Sequence, residues 1–401
     1  MNKILLEKIR HILLIILVLP LPVLARSPDF EISGYVKYLS SVFDYPDLEN
    51  TLYDQLVHTR INTAWYPSDS LRGEMDLRVR AFYGDSVETI PGFLENIKDN
   101  YDFTNLDDVM WDSRKSLGYA QIDRLWLDYT RKDLQLTLGR QRIAWGTALV
   151  WNVIDLFNPK SVLDFDYEEK PGADALRMQY YTGAVSKVEF SIEPGKDSEH
   201  YTAAGLYSTN ISGYDLYGIA GVRNNRWIAG GAWAGYILDG GFRGEVLISQ
   251  SPDRDSSRNN LLLPGNDSIF ASNRTVASFV LSGDYTFSNT FYIHTELLYN
   301  SNGKKENAGL YQQEAARAGT LSPARWSIYQ EFAYDINPLT RATIFGIYNP
   351  DDNSSIIVPM LSRSLSTDLD LLLIGFLPSG EHYTEFGVYG KSINLRLKYS
   401  F

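Results

Sequence analysis

The chain has no cysteine, five methionines and five histidines, and beyond its N-terminus no apolar stretch long enough to cross a bilayer as a helix. Each shortage removes a class of protein. Without cysteine, neither a disulfide-stapled secreted scaffold nor a thiolate metal site can be built. Without long apolar runs, a helical membrane protein is ruled out. Basic excess is lacking too: the formal net charge is −12, or about −14 without Lys3, Glu7, Lys8 and Arg10, so nucleic acid is not expected as a partner. Linkers, repeats and low-complexity tracts are missing, so roughly 375 residues after the leader read as one unit, not two soluble domains.

What is present points elsewhere. Lys3, Lys8 and Arg10 precede the apolar run Ile12–Leu19, and Val23-Leu24-Ala25 offers cleavage positions, so residues 1–25 read as a secretory signal and 26–401 as the mature chain. The 27 Tyr, 18 Phe, 8 Trp and 30 Gly are accompanied by a mean hydropathy of −0.22. That balance suits a transmembrane β-barrel, in which only every second strand residue faces lipid.

Alternation supports the same reading. From Leu71 to Tyr83, the residues Leu71, Met75, Leu77, Val79, Ala81 and Tyr83 share one parity, and Arg72, Glu74, Asp76, Arg78 and Arg80 the other. Opposite parities of a strand face opposite sides, whereas a helix would smear both sets around its axis. At the C-terminus Ile393, Leu395, Leu397, Tyr399 and Phe401 alternate with Asn394, Arg396, Lys398 and Ser400. A last strand of this kind ending in Phe resembles the signal read by the outer-membrane assembly machinery.

The pattern recurs at Val188–Ile192, Phe242–Ile248 and Phe291–Tyr299. Short turns at Pro67–Ser70, Lys132–Asp133, Asp239–Gly240, Ser288–Thr290 and Asn337–Leu339 alternate with long polar connections near 85–118, 144–174, 251–273 and 301–322. The expected fold is all-β: an antiparallel up-and-down barrel of about 18 strands, with 16 possible because 175–236 is weakly patterned, short periplasmic turns and long outer loops. Its surroundings would be outer-membrane lipid and lipopolysaccharide.

The parity opposite to the apolar one is charged. It presents His58, Arg60 and Asn62, then Arg72, Arg78 and Arg80, then Arg124 and Asp128, a basic patch on one arc of the lumen. The segment 144–174 brings Asp155, Asp164, Asp166, Glu168 and Glu169. Folded inward, it would make a constriction with a transverse field that orients dipolar or anionic solutes; alternatively the inward charges pair with one another and only hold the loops. A bulge at Gly139 is expected to flip parity and turn Arg140 and Arg142 into the pore. Trp145 and Trp151 would either stack on sugar rings or wedge the loop against the wall.

The run Gly139-Arg140-Gln141, Trp145-Gly146, Asn158-Pro159 with Asp155 nearby, and Pro171-Gly172-Ala173 resembles a group of porin-like outer-membrane proteins near the alginate-export and DUF1302 types. That resemblance covers about 40 residues and implies a barrel whose third long loop enters the lumen; it leaves the substrate open.

Enzymatic patterns are weak. His58, His200, His294 and His382 have no Ser or Asp neighbour in a nucleophile motif. No Cys/His metal spacing occurs, and Asp164, Asp166 and Glu168 read as a solvated acidic face, so neither metal nor cofactor is expected. The expectation is a non-enzymatic porin passing small polar or anionic solutes, sugars among them, by diffusion. The alternative is a plugged barrel for surface-polysaccharide export, attachment or assembly.

Overall fold

The computed structural model describes residues 29–401 except 47, 99–102, 158–162, 164–165, 167–168, 197–200, 251–274, 313 and 316–319. The expected signal at 1–25, the connection 251–273, Asn158, Pro159, Asp164, Glu168 and His200 therefore lie outside the described residues.

Among the described residues nineteen strands run in chain order: β1 Phe30–Asp44, β2 Leu52–Ser68, β3 Leu71–Gly84, β4 Asp107–Ser113, β5 Ser116–Arg131, β6 Leu134–Gln141, β7 Ala173–Gly183, β8 Ser186–Glu193, β9 Thr202–Ile211, β10 Tyr214–Arg223, β11 Arg226–Ile237, β12 Gly240–Gln250, β13 Thr275–Thr286, β14 Tyr292–Asn300, β15 Trp326–Asn337, β16 Thr340–Asn349, β17 Ser354–Ser366, β18 Leu369–Ser379 and β19 Lys391–Ser400. Two one-turn helices, α1 Asp85–Thr89 and α2 Phe93–Ile97, precede β4. Each wall strand pairs antiparallel with its neighbours, and β1 pairs with both β2 and β19, so the sheet closes. β3 bonds directly to β5, and β4 lies along the upper part of β5 where β6 has ended. The wall therefore has the expected 18 strands, and β4 is an addition at the outer rim. The weakly patterned region 175–236 resolves into β7 to β11.

Closure pairs both edges of each wall strand, the condition for backbone in lipid. The seam is completed at Phe401, whose N–H donates to the Gly34 carbonyl at 3.0 Å while Gly34 N–H donates back at 3.0 Å. Only a glycine fits there: a Cβ on residue 34 would meet the Arg60 carbonyl at 2.3 Å and the Phe401 ring at 2.8 Å.

Alternation along the strands divides outside from inside. Leu125, Leu127, Tyr129 and Leu138 are exposed on the outer face, while Arg124, Asp128 and Thr137 on the other parity are buried. The outer face is thus an apolar belt against hydrocarbon, with Trp65, Trp227, Tyr285 and Tyr399 toward its edges. The chain is a transmembrane barrel of the outer membrane. Short and long connections do not alternate without exception, since β10 and β11 join on the loop side through Asn224-Asn225 alone, both left-handed (φ 52° and 60°) as a tight hairpin requires.

The parity flip expected at Gly139 is absent. Gly139 has φ +115°, yet the β5–β6 and β6–β7 ladders run through it without a register shift. The bulge lies one strand earlier, between Asp76 and Leu77 of β3, where Asp123 is the extra residue on β5.

Candidate functional site: an inward loop between two unlike walls

The described residues of the connection 142–172 lie inside the barrel and reach both sides of it. Its first part carries Ile143, Trp145, Ala148, Trp151, Val153, Ile154, Leu156 and Phe157, all buried. They pack on Leu206, Ile219, Ile228, Val280, Leu298, Tyr329, Phe345, Ile347, Ile356, Val358, Ile374 and Phe376, inward residues of β9 to β18. This arc of the lumen is largely apolar at the loop's level, and burial of the apolar residues against it helps hold the loop in place.

Burying the loop backbone requires acceptors for its N–H groups. Two wall glutamates supply them. Glu245 of β12 accepts from the N–H of Thr147, Ala148 and Ile154, the last two at 2.9 and 3.1 Å. Glu296 of β14 accepts from Leu149, Val150 and Trp151 at 3.2, 3.3 and 2.6 Å. Both glutamates are fully buried. Trp145 donates its Nε1–H to Glu189 of β8 at 2.6 Å and meets Phe157 edge-on, with ring centres 5.0 Å apart. Trp151 meets Tyr329 at 6.3 Å. Both indoles are wedged in the wall, leaving neither ring face open to a sugar.

The later part of the loop crosses to the charged arc. The Asp166 carboxylate accepts from His58 Nδ1 at 2.9 Å and pairs with Lys37 at 3.4 Å, and Lys37 also donates to the Asp166 carbonyl. Burial pushes the Asp166 carboxyl up, but His58, Lys37 and Arg80 outweigh it and hold the group below the usual carboxylate range. Glu169 accepts from Tyr35 Oη at 3.2 Å and lies 3.7 Å from Arg60. Arg124 donates to the Lys170 carbonyl, and Lys170 pairs with Asp155 inside the loop.

The expected pore arginines have divided fates. Arg60 is buried, donating to Asp76 at 2.7 Å, to Asp123 and to Asn62 at 2.6 Å. Arg78 is buried on Gln121, and Arg80 lies over the Phe82 and Tyr119 rings and donates to the Ile97 carbonyl at 3.3 Å. Arg72, Arg124 and Arg142 line a cavity of about 560 Å³ toward the periplasmic end, together with Arg60, Arg177, Glu74, Asp76, Asp128, Trp126 and Glu169. Arg72 lies over both Tyr66 and Trp126, 5.3 Å from each ring. Arg140 does not join them. It sits opposite Leu125, on the outward parity, and donates to Asp174 at 2.8 and 3.0 Å and to the carbonyls of Ile122 and Thr104. Because Gly139 makes no bulge, Arg140 stays in the outer layer as a rim clamp.

Two arrangements were expected for these charges, acid facing base across a gap or acid paired with base. Asp166 and Glu169 follow the second and touch the basic wall. Sequence reasoning passed over the anchors Glu245 and Glu296, although both occupy inward parity, and over Lys37, whose alternation in β1 was the available signal.

No family model matches the chain, and no curated protein matches it. Solved structures do share its fold. The chain superposes on Pseudomonas aeruginosa OccK5 (OpdH) with TM-score 0.57 at 8% identity, covering 94% of this chain and 99% of that one. For P. aeruginosa OccK11 (OpdR) the figures are 0.56, 10%, 93% and 96%. For Acinetobacter baumannii OccAB4 they are 0.56, 10%, 93% and 98%. At such identity the likeness is one of fold: a porin-like barrel. The resemblance to the alginate-export and DUF1302 types finds no family match behind it.

Proposed function

We propose that the chain is an outer-membrane channel through which small polar or anionic solutes, sugars among them, diffuse. The observation that carries this reading is the 560 Å³ cavity beneath the inward loop, lined by five arginines, by carboxylates and by Asn62, Thr63, Tyr66 and Trp126. A lumen that only needed filling would be closed mostly by apolar side chains, as the β9–β18 arc is around its two anchoring glutamates. The mixed charge suits a hydrated, dipolar passenger. In this reading residues 1–25 direct export and are removed, and the β19 strand ending in Phe401 engages the assembly machinery. The role is non-enzymatic: His294 is fully buried between Ser282, Glu296 and Glu331, out of reach of a substrate.

A second reading has an observation of its own. The loop contacts both arcs, as a plug would, and a plugged barrel suits surface-polysaccharide export, attachment or assembly. Single-channel recording of the refolded protein in planar bilayers, with reversal potentials under a salt gradient, separates the two. A channel conducts steadily and prefers anions, and replacing Arg72 and Arg142 by glutamine reduces that preference. A silent barrel would overturn the diffusion reading in favour of the plug.

A further inference from the structure

Glu296 is the fully buried carboxylate on which the N–H groups of Leu149, Val150 and Trp151 end. A carboxylate taken out of water into a largely apolar wall is costly unless hydrogen bonds and a cation meet it. The loop supplies the hydrogen bonds. The cation stands two residues earlier on β14, where residues i and i+2 share a face. There His294 places Nε2 3.4 Å from the Glu296 carboxylate and 3.0 Å from Ser282 Oγ.

His294 is itself framed by charge. It is fully buried, and across the ladder it stands opposite Asp284 of β13 and Glu331 of β15. Asp284 is taken by Arg243 of β12, and Arg341 of β16 pairs with Asp335 at 2.7 Å. Glu331 turns to the histidine: its carboxylate lies 3.8 Å from Nδ1 and accepts from Tyr329 Oη at 2.9 Å. The two ring nitrogens thus face two different carboxylates. A neutral imidazole carries one N–H and one lone pair, so one nitrogen would turn a lone pair toward a carboxylate. The imidazolium, with an N–H on each nitrogen, serves both. Glu245, the other anchor, is arranged differently, with bonds to three loop N–H groups and to the Thr147 hydroxyl.

We propose that His294 is a positioning residue of the constriction. As an imidazolium between Glu296 and Glu331 it keeps Glu296 a carboxylate, and through Glu296 it keeps 149–151 fastened to the wall. It touches no solute. The proposal deepens the channel reading and rests on it for the electrical readout alone.

Charge compensation is the test. In His294→Asn the Glu296 carboxylate loses its cation, and hydrogen exchange on the refolded full-length protein in detergent is expected to run at least about ten-fold faster at 149–151 than in the wild type. Adding Glu296→Gln removes the orphaned charge but keeps a carbonyl oxygen for the N–H groups, and is expected to restore the wild-type rate. A histidine that merely filled space would not be replaced by a change at residue 296. Wild-type exchange in the single variant, or fast exchange that persists in the double variant, overturns the proposal. Nitrogen NMR of the wild type decides the matter should the variants fail to refold. The His294 ring, identified by its contact with Tyr329 at 5.2 Å, is expected to carry a proton on both nitrogens at neutral pH; a neutral ring overturns the proposal. In planar bilayers the single variant is expected to flicker and the double variant to conduct as steadily as the wild type. Silence of all three would refute the channel and leave this role standing on the exchange data, whereas steady conduction by His294→Asn would do the reverse.

Discussion

The arc formed by β19 and β1 to β8 and the arc formed by β9 to β18 obey the same alternation, yet they face the lumen with opposite chemistry. The first presents Lys37, His58, Arg60, Asp76, Arg78, Arg124 and Glu189; the second presents Ile219, Val280, Leu298, Phe345, Ile347, Val358 and Phe376, with only Glu245, His294 and Glu296 as buried ionisable groups of β12 and β14 among them. One loop is fastened to both, by different forces. On the apolar arc it is held by burial and by N–H groups aimed at two carboxylates, interactions that no passing solute can imitate. On the charged arc Asp166 and Glu169 hold on by ion pairs, which any oxyanion can imitate. The same loop is thus held by buried N–H groups on carboxylates at one end and by ion pairs at the other.

The largest expected effect breaks the end held by N–H groups. Replacing Glu245 and Glu296 together by alanine takes the acceptor from six N–H groups, and the three buried ones, of Ala148, Trp151 and Ile154, cost about 1–3 kcal/mol each. Limited proteolysis is expected to cut within 143–157 in the double variant and to spare the wild type. Resistance in both would mean that apolar packing alone fixes the segment.

Next in size is Arg60→Met. Arg60 separates the buried carboxylates Asp76 and Asp123, and removing it leaves both without their cation. Orphaning a buried charge costs about 3–5 kcal/mol, read as a lower unfolding temperature. Arg72→Met is the control on the same arc. Arg72 is exposed and its pair with Glu74 is 3.2 Å long, so its loss is expected to cost less than about 1 kcal/mol. If both variants lost the same, the buried network would not be what stabilises the charged arc.

These contrasts explain how far the sequence could be read. Strand parity is a local property, so the barrel, its 18 wall strands and the inward residues Arg60, Arg78 and Arg124 were legible. A bulge depends on which partner strand tolerates an extra residue, and glycine content pointed to Gly139 when the ladder places it at Asp123. Arg140 was misplaced for that reason alone. The inward turn of the loop was legible from its length and from its acidic residues set against the inward arginines. Its anchors were not, because Glu245 and Glu296 look like any lumen glutamate until the backbone of 147–154 is set against them. Lys37 was hidden for a related reason: its ladder partner Lys398 lies more than three hundred residues away and meets it only when the barrel closes.

The smallest effect compares two loop carboxylates whose environments act in opposite directions. Glu385, in the connection 380–390 on the apolar side, is buried and accepts from Ser322 at 2.7 Å, while its own N–H donates to Asp352 at 2.7 Å. Burial, the Ser322 bond working against it and the nearby Asp352 together push its carboxyl up to about 7. The packed loop therefore favours a neutral Glu385: its hold is fullest below the ordinary glutamate range and weakens as pH rises toward 7. Asp166 has the opposite sign, since its depressed carboxyl keeps full strength above the ordinary aspartate range and loses it only as pH falls below. Hydrogen exchange, corrected for intrinsic rates, is expected to show 380–390 better protected at about pH 5 than at about pH 8. Glu385→Gln is expected to erase the difference. Protection of 380–390 that grew with pH would show that the outer loop is held by a charged Glu385, and the two carboxylates would then be alike.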